Sequence, residues 1–417
     1  MAATLYAFAM CRTSGIYFRM AVGMAVGMTF LPLVLLGIYQ IFYEDTSYWK
    51  MLALGMSLLL YSHLLSVVMA AIMIIFFMVV NLIRKNFNKN QLKALIKATL
   101  MTLLLGIGFL MPMLQVVFNT KLSMPEIYDL YQSALTPQKL LESSLINQAS
   151  SDNFYNVVFL ILVVILIFNI KHLTLFFKDC LVGSAIFTFL STTLFPWSIF
   201  QKIFTMIQFP WRFITIGTLL LAITSSNIVS YYQQHHSYNQ TLKVVIILLM
   251  GIIIAHWGTM NNISNINDEH AGFTSSFYKK AIMNGANFNG LDDYAPKTAK
   301  KDLDIINANY ICVDAVWYLT TPQYNANHVS YSYNASKKGK GILAVFNYDG
   351  EKVTNNQKEV KITAADDGAT AVKIEKGVNY FEVSYHYTLL ARIAWVISIM
   401  SALIFNIKLL RRKEKGK

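Results

Sequence analysis

The segment Gln208-Phe209-Pro210-Trp211-Arg212-Phe213 decides how this chain folds, because it sets an arginine among aromatic residues at the edge of an apolar hairpin. Apolar stretches precede the segment at 181–195 and follow it at 214–222. A charge at such an edge is costly unless its side chain reaches the membrane surface or serves a function. The segment therefore predicts two membrane helices that meet at a membrane surface, with Trp211 and Arg212 at the junction.

Composition places the chain among polytopic membrane proteins. Hydrophobic residues make up 55% of the 417 residues and charged residues 14%, and the mean hydropathy is +0.45. A soluble protein has about a quarter of its residues charged. The net charge of +13 does not indicate nucleic-acid binding, because residues 258–387 hold 13 basic and 14 acidic side chains. The basic excess lies in short links between apolar runs, which is the positive-inside pattern.

The apolar runs predict about eight transmembrane helices, at 20–42, 51–82, 93–118, 153–170, 180–196, 212–232, 242–257 and 388–408. Counted over the links, 16 basic residues, including Arg12, Arg19 and the tail 408–417, fall on one side and six, including Arg212, on the other. We therefore predict a multi-pass protein of a bacterial plasma membrane with both termini cytoplasmic and with 258–387 extracytoplasmic. Residues 1–257 would form a helical membrane domain, and 388–417 the last helix with a basic tail.

The run 51–82 is too long for one straight crossing. As a single helix it would measure ~48 Å, whereas the hydrocarbon core is ~30 Å thick. We predict one crossing that is tilted or broken near Ser62-His63.

Residues 258–387 predict an extracytoplasmic, mainly β, sandwich-like domain. Turn signals occur at Asp349-Gly350, Asp367-Gly368 and Lys376-Gly377. Apolar and polar residues alternate over 378–385, as in a half-buried strand. Further strand-like stretches lie at 309–319, 328–333, 341–347, 359–363 and 369–374, and short helices are predicted at 275–284.

No pattern in the sequence indicates a cofactor or a metal site. There are three cysteines, Cys11, Cys180 and Cys312, and only Cys312 falls in the predicted outer domain, so that domain has no internal disulfide. CxxC, HExxH, GxSxG and Gly-rich phosphate-loop motifs are missing from the sequence.

Three residues are candidates for lipid-phosphate binding. Arg212 can clamp an anion bidentately at the outer membrane face, or it can be a snorkelling anchor beside Trp211. His63 lies within an apolar run, so it is either a functional group or a neutral histidine that satisfies a helix break.

Catalytic candidates are weaker. Glu44 and Asp45 form an acidic pair just after the first predicted helix, and a carboxylate near the outer surface could take the proton of an acceptor hydroxyl. Adjacent carboxylates in a short loop are also often merely solvated. Within the 119–152 loop, Tyr128 to Leu145 predicts an amphipathic helix that lies on the bilayer surface or covers a cavity, and Asp152 closes that loop.

Several segments, in order, resemble bacterial integral membrane proteins of the YfhO type, the family related by name to 6-pyruvoyl-tetrahydropterin synthase. Pro210-Trp211-Arg212-Phe213 is similar to the family's FPWRF element, and Ser62-His63-Leu64 to its segment of a small residue, His and Leu. The remaining similar segments are Arg19 with 29–33 and 37–39, Thr136 to Leu141, Asp293 to Pro296, and Gly377 to Tyr385.

The resemblance implies a C-class glycosyltransferase type of protein, which moves a sugar from a polyprenyl-phosphate carrier to an extracytoplasmic polymer. Its implied partners are membrane lipids, a polyprenyl-phosphate sugar and a cell-wall polymer such as a teichoic acid. The family's helices before Arg19 and its first outer loop, with the catalytic acid, have no counterpart here, and Gly23 and Met24 stand where that acid is expected. The resemblance therefore implies a glycosyltransferase-like protein that is either active or an incomplete or inactive copy.

Two other functions stay open on sequence alone. In one, the protein is a non-enzymatic membrane scaffold that presents 258–387 to wall polymers or partner proteins, and Arg212 and His63 are structural. In the other, it is a transporter or flippase, although inverted repeats with matching broken helices, the usual signature, are not evident.

Overall fold

The computed structural model describes all residues except 125, 149, 151, 270–293, 302, 308 and 415–417. It divides into two compact units. The first, termed the helical unit, comprises residues 1–106 and 127–271, and the second, termed the C-terminal unit, comprises 107–126 and 272–417. The predicted helices at 275–284 and Asp293 of the family-like segment lie outside the described residues.

Helices dominate the first unit. Their bounds are α1 Ala2–Ala7, α2 Met10–Thr13, α3 Val22–Tyr43, α4 Lys50–Ser62, α5 Leu64–Ile83, α6 Lys89–Asn119, α7 Pro137–Leu145, α8 Val157–Phe168, α9 Leu175–Leu190, α10 Trp197–Phe204, α11 Ile214–His235 and α12 Tyr238–Glu269. Of these, α6 continues from the helical unit into the C-terminal unit.

Among the described residues, six helices are long and apolar enough to cross a membrane. They are Val22–Tyr43, Leu64–Ile83, Lys89–Asn119, Pro210–His235, Tyr238–Asn261 and Leu389–Ile407. All six coincide with predicted runs. Two further predicted runs, 153–170 and 180–196, contain shorter helices. Helix α8 has 12 residues and α9 has 16. The chain is thus a multi-pass type of membrane protein with a separate β-rich part.

The predicted break of the 51–82 run at His63 is present, and the chain turns back there. Helix α4 ends at Ser62, His63 is extended (φ −161°), and α5 begins at Leu64. Gly37 packs on Leu52 and Gly55 on Val34, so α4 runs antiparallel to α3. Helix α5 then turns back and runs parallel to α3, since Ser66 faces Gly27 and the ring of Phe77 faces that of Tyr43. Gly37 and Gly55 have no side chain, so the two helices can approach closely enough to form this hairpin. Hydropathy alone does not reveal it.

Residues 1–19 pack against the other helices of the helical unit. Met1 lines a cavity with Val229 and Tyr232 near the end of α11, and the Cys11 thiol contacts the hydroxyl of Thr218 near its start. The segment 1–19 therefore runs antiparallel to α11. Arg12, Thr13 and Ser14 kept this stretch from standing out as an apolar run. They are accommodated by contacts such as Arg12 Nη2 to Thr29 Oγ1, at 3.1 Å.

The described residues of the C-terminal unit form ten strands in two five-stranded antiparallel sheets, of order β2-β1-β5-β9-β8 and β3-β4-β10-β6-β7. Side chains from both sheets, among them Leu343 and Phe381, share one buried core, which makes the domain a sandwich. The strands are β1 Tyr310–Val313, β2 Val316–Leu319, β3 Gln323–Tyr324, β4 His328–Ala335, β5 Gly339–Phe346, β6 Glu351–Asn355, β7 Lys358–Val360, β8 Thr363–Ala364, β9 Ala369–Ile374 and β10 Gly377–Tyr385.

The predicted stretch 309–319 is a hairpin and not one strand. Asp314 and Ala315 both have positive φ, 47° and 65°, and join β1 to β2 as a two-residue turn. The pair lacks glycine, so the usual turn signal is missing. By contrast, the predicted turns at Gly350, Gly368 and Gly377 each adopt positive φ.

Two short helical pieces and one long helix complete this unit: a 3₁₀ turn at Lys297–Lys301, α13 Leu303–Asn307 and α14 Leu389–Glu414. Helix α14 packs on the end of α6, with Thr388 donating to Gln115 and Gly108 against Trp395.

Candidate functional site

A cavity of about 530 Å³ lies at one end of the helical unit, termed the pocket end. It lies within the usual volume range of ligand sites. Its lining comes from six separate stretches of this unit: Arg19, Ala21, Met24, His63, Gln132, Ser133, Ala134, Lys139, Asp152, Phe209, Trp211 and Arg212. The three sequence candidates Arg212, Trp211 and His63 are therefore brought together.

Arg212 is held by the turn that precedes it. Pro210 begins a 3₁₀ turn, Pro210–Phe213, that leads into α11. The Arg212 guanidinium donates from Nη1 to the Ile207 carbonyl at 2.8 Å and to Gln208 Oε1 at 3.1 Å. Gln208 adopts a left-handed φ of 61°, which is uncommon without glycine and marks a constrained site. Among the described residues, the buried Nε of Arg212 has no hydrogen-bond partner.

Arg19 reaches the same cavity from the opposite wall. It follows a π-helical turn, Ser14–Phe18, and precedes Met20, whose φ is 52°. Such turns recur at functional sites because they redirect a side chain. Arg19 donates from Nη2 to Asn153 Oδ1 at 2.8 Å, and its guanidinium carbon lies 4.5 Å from the centre of the Trp211 ring.

Arg19 and Arg212 share one aromatic platform. The rings of Phe209 and Trp211 stack with centres 5.2 Å apart, and the Arg212 guanidinium lies 4.9 Å from Phe209. Sequence analysis assigned Arg19 to the cytoplasmic side and Arg212 to the outer side, and this is corrected by the structure. The cause is the buried path of residues 1–19, which carries Arg19 across the helical unit.

The cavity has a net positive charge. Arg19, Arg212 and Lys139 contribute cations, and Asp152 is its one carboxylate among the described lining residues. Lys139 Nζ pairs with Asp152 Oδ2 at 2.6 Å. Two guanidiniums on a ring platform present several N–H donors to an oxyanion, and arginine matches phosphate oxygens bidentately.

His63 lines the cavity, and Gly23 lies next to it. His63 Nδ1 hydrogen-bonds with the Ser66 hydroxyl at 2.8 Å. Gly23 lies against the chain at the α4–α5 break, where an added Cβ would sit 2.9 Å from the Ser62 carbonyl oxygen. That distance leaves no room for a side chain without a shift of backbone. Gly23, which stands where the family resemblance places an acid, therefore serves helix packing here.

Glu44 and Asp45 are not brought to the cavity. They follow the last residue of α3, Tyr43, whereas the cavity lies beside its first turn at Met24, some 20 residues and ~30 Å away along the helix. Asp45 caps a short 3₁₀ turn by accepting from the Ser47 amide at 2.9 Å.

A second charged cluster, which sequence analysis missed, lies at that opposite end. Asp179 of α9 is buried, and both of its carboxylate oxygens pair with the guanidinium of Arg84. The Tyr43 hydroxyl also donates to it, at 2.5 Å. The cluster ties α3, α5 and α9 together. The sequence offered one signal for this cluster, a single acid at the start of an apolar run. Because Asp179 follows Lys178, it looked like part of the polar link between two predicted helices.

The 127–135 loop forms one wall of the cavity. Gln201 of α10 fixes it from two sides, accepting from the Leu130 amide at 2.8 Å and donating to the Tyr128 carbonyl at 2.9 Å. Leu135 adds backbone hydrogen bonds with Ser191 and Thr193. The amphipathic helix predicted over 128–145 is limited to Pro137–Leu145, because Thr136 caps α7 and Pro137 occupies its first turn.

Comparison of the chain with protein-family models, with curated proteins and with solved structures gives no match. In the part of the chain that the structure describes, no group of three or more His, Cys, Asp or Glu side chains could hold a metal ion.

Proposed function

We propose that this protein is a cell-envelope membrane protein of the C-class glycosyltransferase type, which binds a polyprenyl-phosphate sugar in the Arg19–Arg212 cavity. The observation that carries the proposal is the pairing of these two arginines on the Trp211 platform. Like charges held close together repel, so the arrangement is most stable with an anion between them. The family resemblance described above supplies the nature of that anion.

The cavity suits the chemistry of such a transfer. The acceptor hydroxyl attacks the anomeric carbon, the bond from that carbon to the phosphate oxygen breaks, and the lipid phosphate leaves with the electron pair. Arg19 and Arg212 would stabilise the charge that develops on this phosphate. Asp152, not Glu44 or Asp45, is the carboxylate placed to accept the hydroxyl proton, and Lys139 would hold it in position.

We propose that the pocket end faces the outside of a bacterial plasma membrane. Basic residues such as Arg84, Lys85 and Lys178 cluster at the opposite end of the helical unit, and this distribution supports a cytoplasmic position for that end. Helix α12 ends at the pocket end, since Thr259 donates to the Asn147 carbonyl. An extracytoplasmic 258–387 domain follows from that direction.

In this arrangement both termini are cytoplasmic, as the basic tail and the position of Met1 beside Tyr232 favour. Counted over the described residues, this proposed arrangement has ten passes in place of the predicted eight. Helix α4 adds one pass and residues 1–19 add another, and Glu44 and Asp45 then face the cytoplasm.

The test is transfer and binding by the purified protein. Wild type is expected to bind a polyprenyl phosphate, detected by native mass spectrometry, and to move labelled sugar from a polyprenyl-phosphate sugar to wall polymer. Arg212→Gln should lose both. Lys202→Gln is the matched control, because it removes an exposed charge from the neighbouring α10. Equal binding by Arg212→Gln and wild type would refute the proposal.

One observation favours the scaffold as a second candidate. The cavity's carboxylate is already paired with Lys139, so a lipid phosphate can be held without a free base. Two results together would support this alternative. Wild type would bind polyprenyl phosphate but transfer no sugar in the same assay, and Asp152→Asn would bind polyprenyl phosphate as tightly as wild type.

A further inference from the structure

A second cavity, termed the aromatic cavity, lies within the C-terminal unit beside the last turns of α6 and the start of α14. Its volume is about 380 Å³, which is within the usual range of ligand sites. Five of the residues that line it are aromatic: Phe109, Tyr348, Tyr385, Tyr387 and Trp395. None of the described lining residues carries a charge. The proposed function does not use this cavity.

The β-sandwich holds two of these rings in place. Strand β10 ends at Tyr385, and the amide of the next residue, His386, donates to the Gly350 carbonyl at 2.7 Å. This bond ties the end of β10 to the turn between β5 and β6, which contains Tyr348. The hydroxyl of Tyr348 donates to the Tyr294 carbonyl at 3.0 Å. The sheet and its turn therefore position Tyr348 and Tyr385 without a ligand.

Three of the rings meet at steep angles. The ring centres of Tyr385 and Tyr387 are 5.5 Å apart and their planes are inclined by 81°. Those of Tyr387 and Trp395 are 6.4 Å apart, with an inclination of 58°. Gly108 of α6 allows the close approach of Trp395, because an added Cβ would sit 3.1 Å from its ring. Rings inclined in this way present more than one aromatic face to a group in the cavity.

The electrostatic surroundings of the aromatic cavity suit a cation. Burial raises the pKa of the Tyr385 hydroxyl, and Tyr387 and Asp349 raise it further, so the Asp349 carboxylate is near this ring. The neutral amide of Asn119 donates to Asp349, and none of the ion pairs among the described residues includes this carboxylate. Arg392 donates from Nε to the Tyr387 carbonyl at 2.9 Å.

The protein supplies no cation of its own to the tyrosine faces. In the part of the chain that the structure describes, neither Arg392 nor any other arginine or lysine lies over the ring of Tyr348, Tyr385 or Tyr387. These faces are partly exposed, since Tyr385 and Tyr387 are each about half accessible to solvent.

We propose that the aromatic cavity binds a trimethylammonium type of group through the faces of Tyr348, Tyr385 and Tyr387, with Asp349 supplying the opposite charge. A cation within about 6 Å of a ring centre is attracted by the ring, and several rings around one cavity recognise quaternary ammonium ligands. An aromatic belt at a membrane surface explains single interfacial rings. It does not explain several rings around one cavity beside a carboxylate.

Two sources share this ligand chemistry. One is a lipid headgroup, because α6 and α14 are both long and apolar enough to cross a membrane. The other is a soluble quaternary ammonium compound. The inference does not rest on the proposed function, since the aromatic cavity and the arginine-lined cavity belong to different units.

The test is the binding of choline to the full chain in phosphatidylglycerol nanodiscs, followed by saturation-transfer NMR over a ligand titration. The neutral isostere 3,3-dimethyl-1-butanol has the same shape without the charge, and we expect it to bind roughly tenfold more weakly. Tyr387→Leu should weaken choline binding by roughly tenfold as well. Tyr387→Phe keeps the ring and should bind as wild type does. Tyr324→Leu, which removes an exposed tyrosine from β3, is the matched control and should also bind as wild type does.

Three results would overturn the proposal: no binding of choline by wild type, equal binding of choline and its isostere, or undiminished binding by Tyr387→Leu. If Tyr387→Leu lowers the melting temperature, Tyr385→Leu takes its place, with the same loss expected. Phosphatidylcholine nanodiscs then identify the source. Weaker choline binding in these nanodiscs supports the proposal with a lipid headgroup as ligand, and unchanged binding supports it with a soluble ligand.

Discussion

The two ends of the helical unit treat charge in opposite ways. At one end, Asp179 is buried and is satisfied by Arg84 and Tyr43. At the other, Arg19 and Arg212 both lie within 6 Å of the Trp211 ring centre and line one cavity. The first cluster is complete within the protein, whereas the second has an excess of cations. Removal of one partner from the first cluster leaves the other without its counter-charge, whereas the net positive charge of the second favours a ligand of opposite charge.

The largest expected effect is on the compensated end. Asp179→Ala leaves Arg84 without its carboxylate, so we expect a loss of roughly 3–5 kcal/mol in the free energy of unfolding. Unfolding in detergent, followed by denaturant titration, measures this loss.

Asp152→Ala is the control at the pocket end. Because its partner Lys139 is exposed, the free energy of unfolding should fall by less than about 1 kcal/mol. A loss as large as that of Asp179→Ala would mean that the ends do not differ in this way.

Close helix packing near the compensated end gives the next effect. Gly37 touches the Leu52 backbone, so Gly37→Ala should push α3 and α4 apart at a cost of about 1–3 kcal/mol. The control is Gly258→Ala in α12, where an added Cβ meets nothing within 4 Å. That control should be neutral or slightly stabilising, because alanine favours helix. Tolerance of Gly37→Ala would argue against the antiparallel α3–α4 pair.

At the pocket end, a substitution of Arg212 separates the effect of its charge from that of its planar shape. Arg212→Lys keeps the cation but loses the planar fork, so we expect roughly tenfold weaker binding of polyprenyl phosphate. Native mass spectrometry across a ligand titration measures the change. Unchanged affinity would indicate that Arg212 acts only as a point charge, and would weaken the case for a bidentate clamp.

The smallest effect concerns Glu351, a largely buried carboxylate in the β-domain. Glu351 of β6 accepts from Thr370 Oγ1 at 2.6 Å, and burial raises its pKa to about 7. A raised pKa means that the folded state binds the proton more tightly. The stabilisation from protonation is therefore full below about pH 4.5 and is lost as pH rises through 7.

We expect the β-domain to lose about 1 kcal/mol between pH 6 and pH 7.5 from this group. Hydrogen exchange of the β6 and β9 peptides in the full chain, compared with Glu351→Gln at each pH, isolates the effect. The two proteins should differ at pH 6 and pH 7.5 by unequal amounts. A constant difference would show that Glu351 does not titrate in this range.

The sequence was informative where one residue stands against its surroundings. Arg212 and His63 are ionisable groups beside or within apolar runs, and both line the cavity. Alternation over 378–385 predicted β10, and glycine turns predicted three bends of the sandwich. Each of these signals is local, so it can be read without knowing what packs against it.

Features that depend on distant contacts were not predictable in this way. Arg19 was counted as a loop charge, because residues 1–19 are too polar to stand out as a membrane segment. Asp152 was noted only as the end of the 119–152 loop, and Lys139 lay unremarked within the family-like segment Thr136 to Leu141. Asp179 had no visible partner in sequence, since Arg84 lies 95 residues away. The reversal at His63 rests on glycine contacts that hydropathy does not encode.

The central claim is that Arg212 serves a ligand and not the fold, and one measurement tests it directly. The melting temperature of Arg212→Gln is compared with that of wild type, with and without polyprenyl phosphate. Because Arg19 and Arg212 repel each other, the variant should melt at the wild-type temperature or higher without ligand, and should lose the ligand-induced rise. A lower melting temperature without ligand, together with an undiminished rise on adding it, would contradict the account.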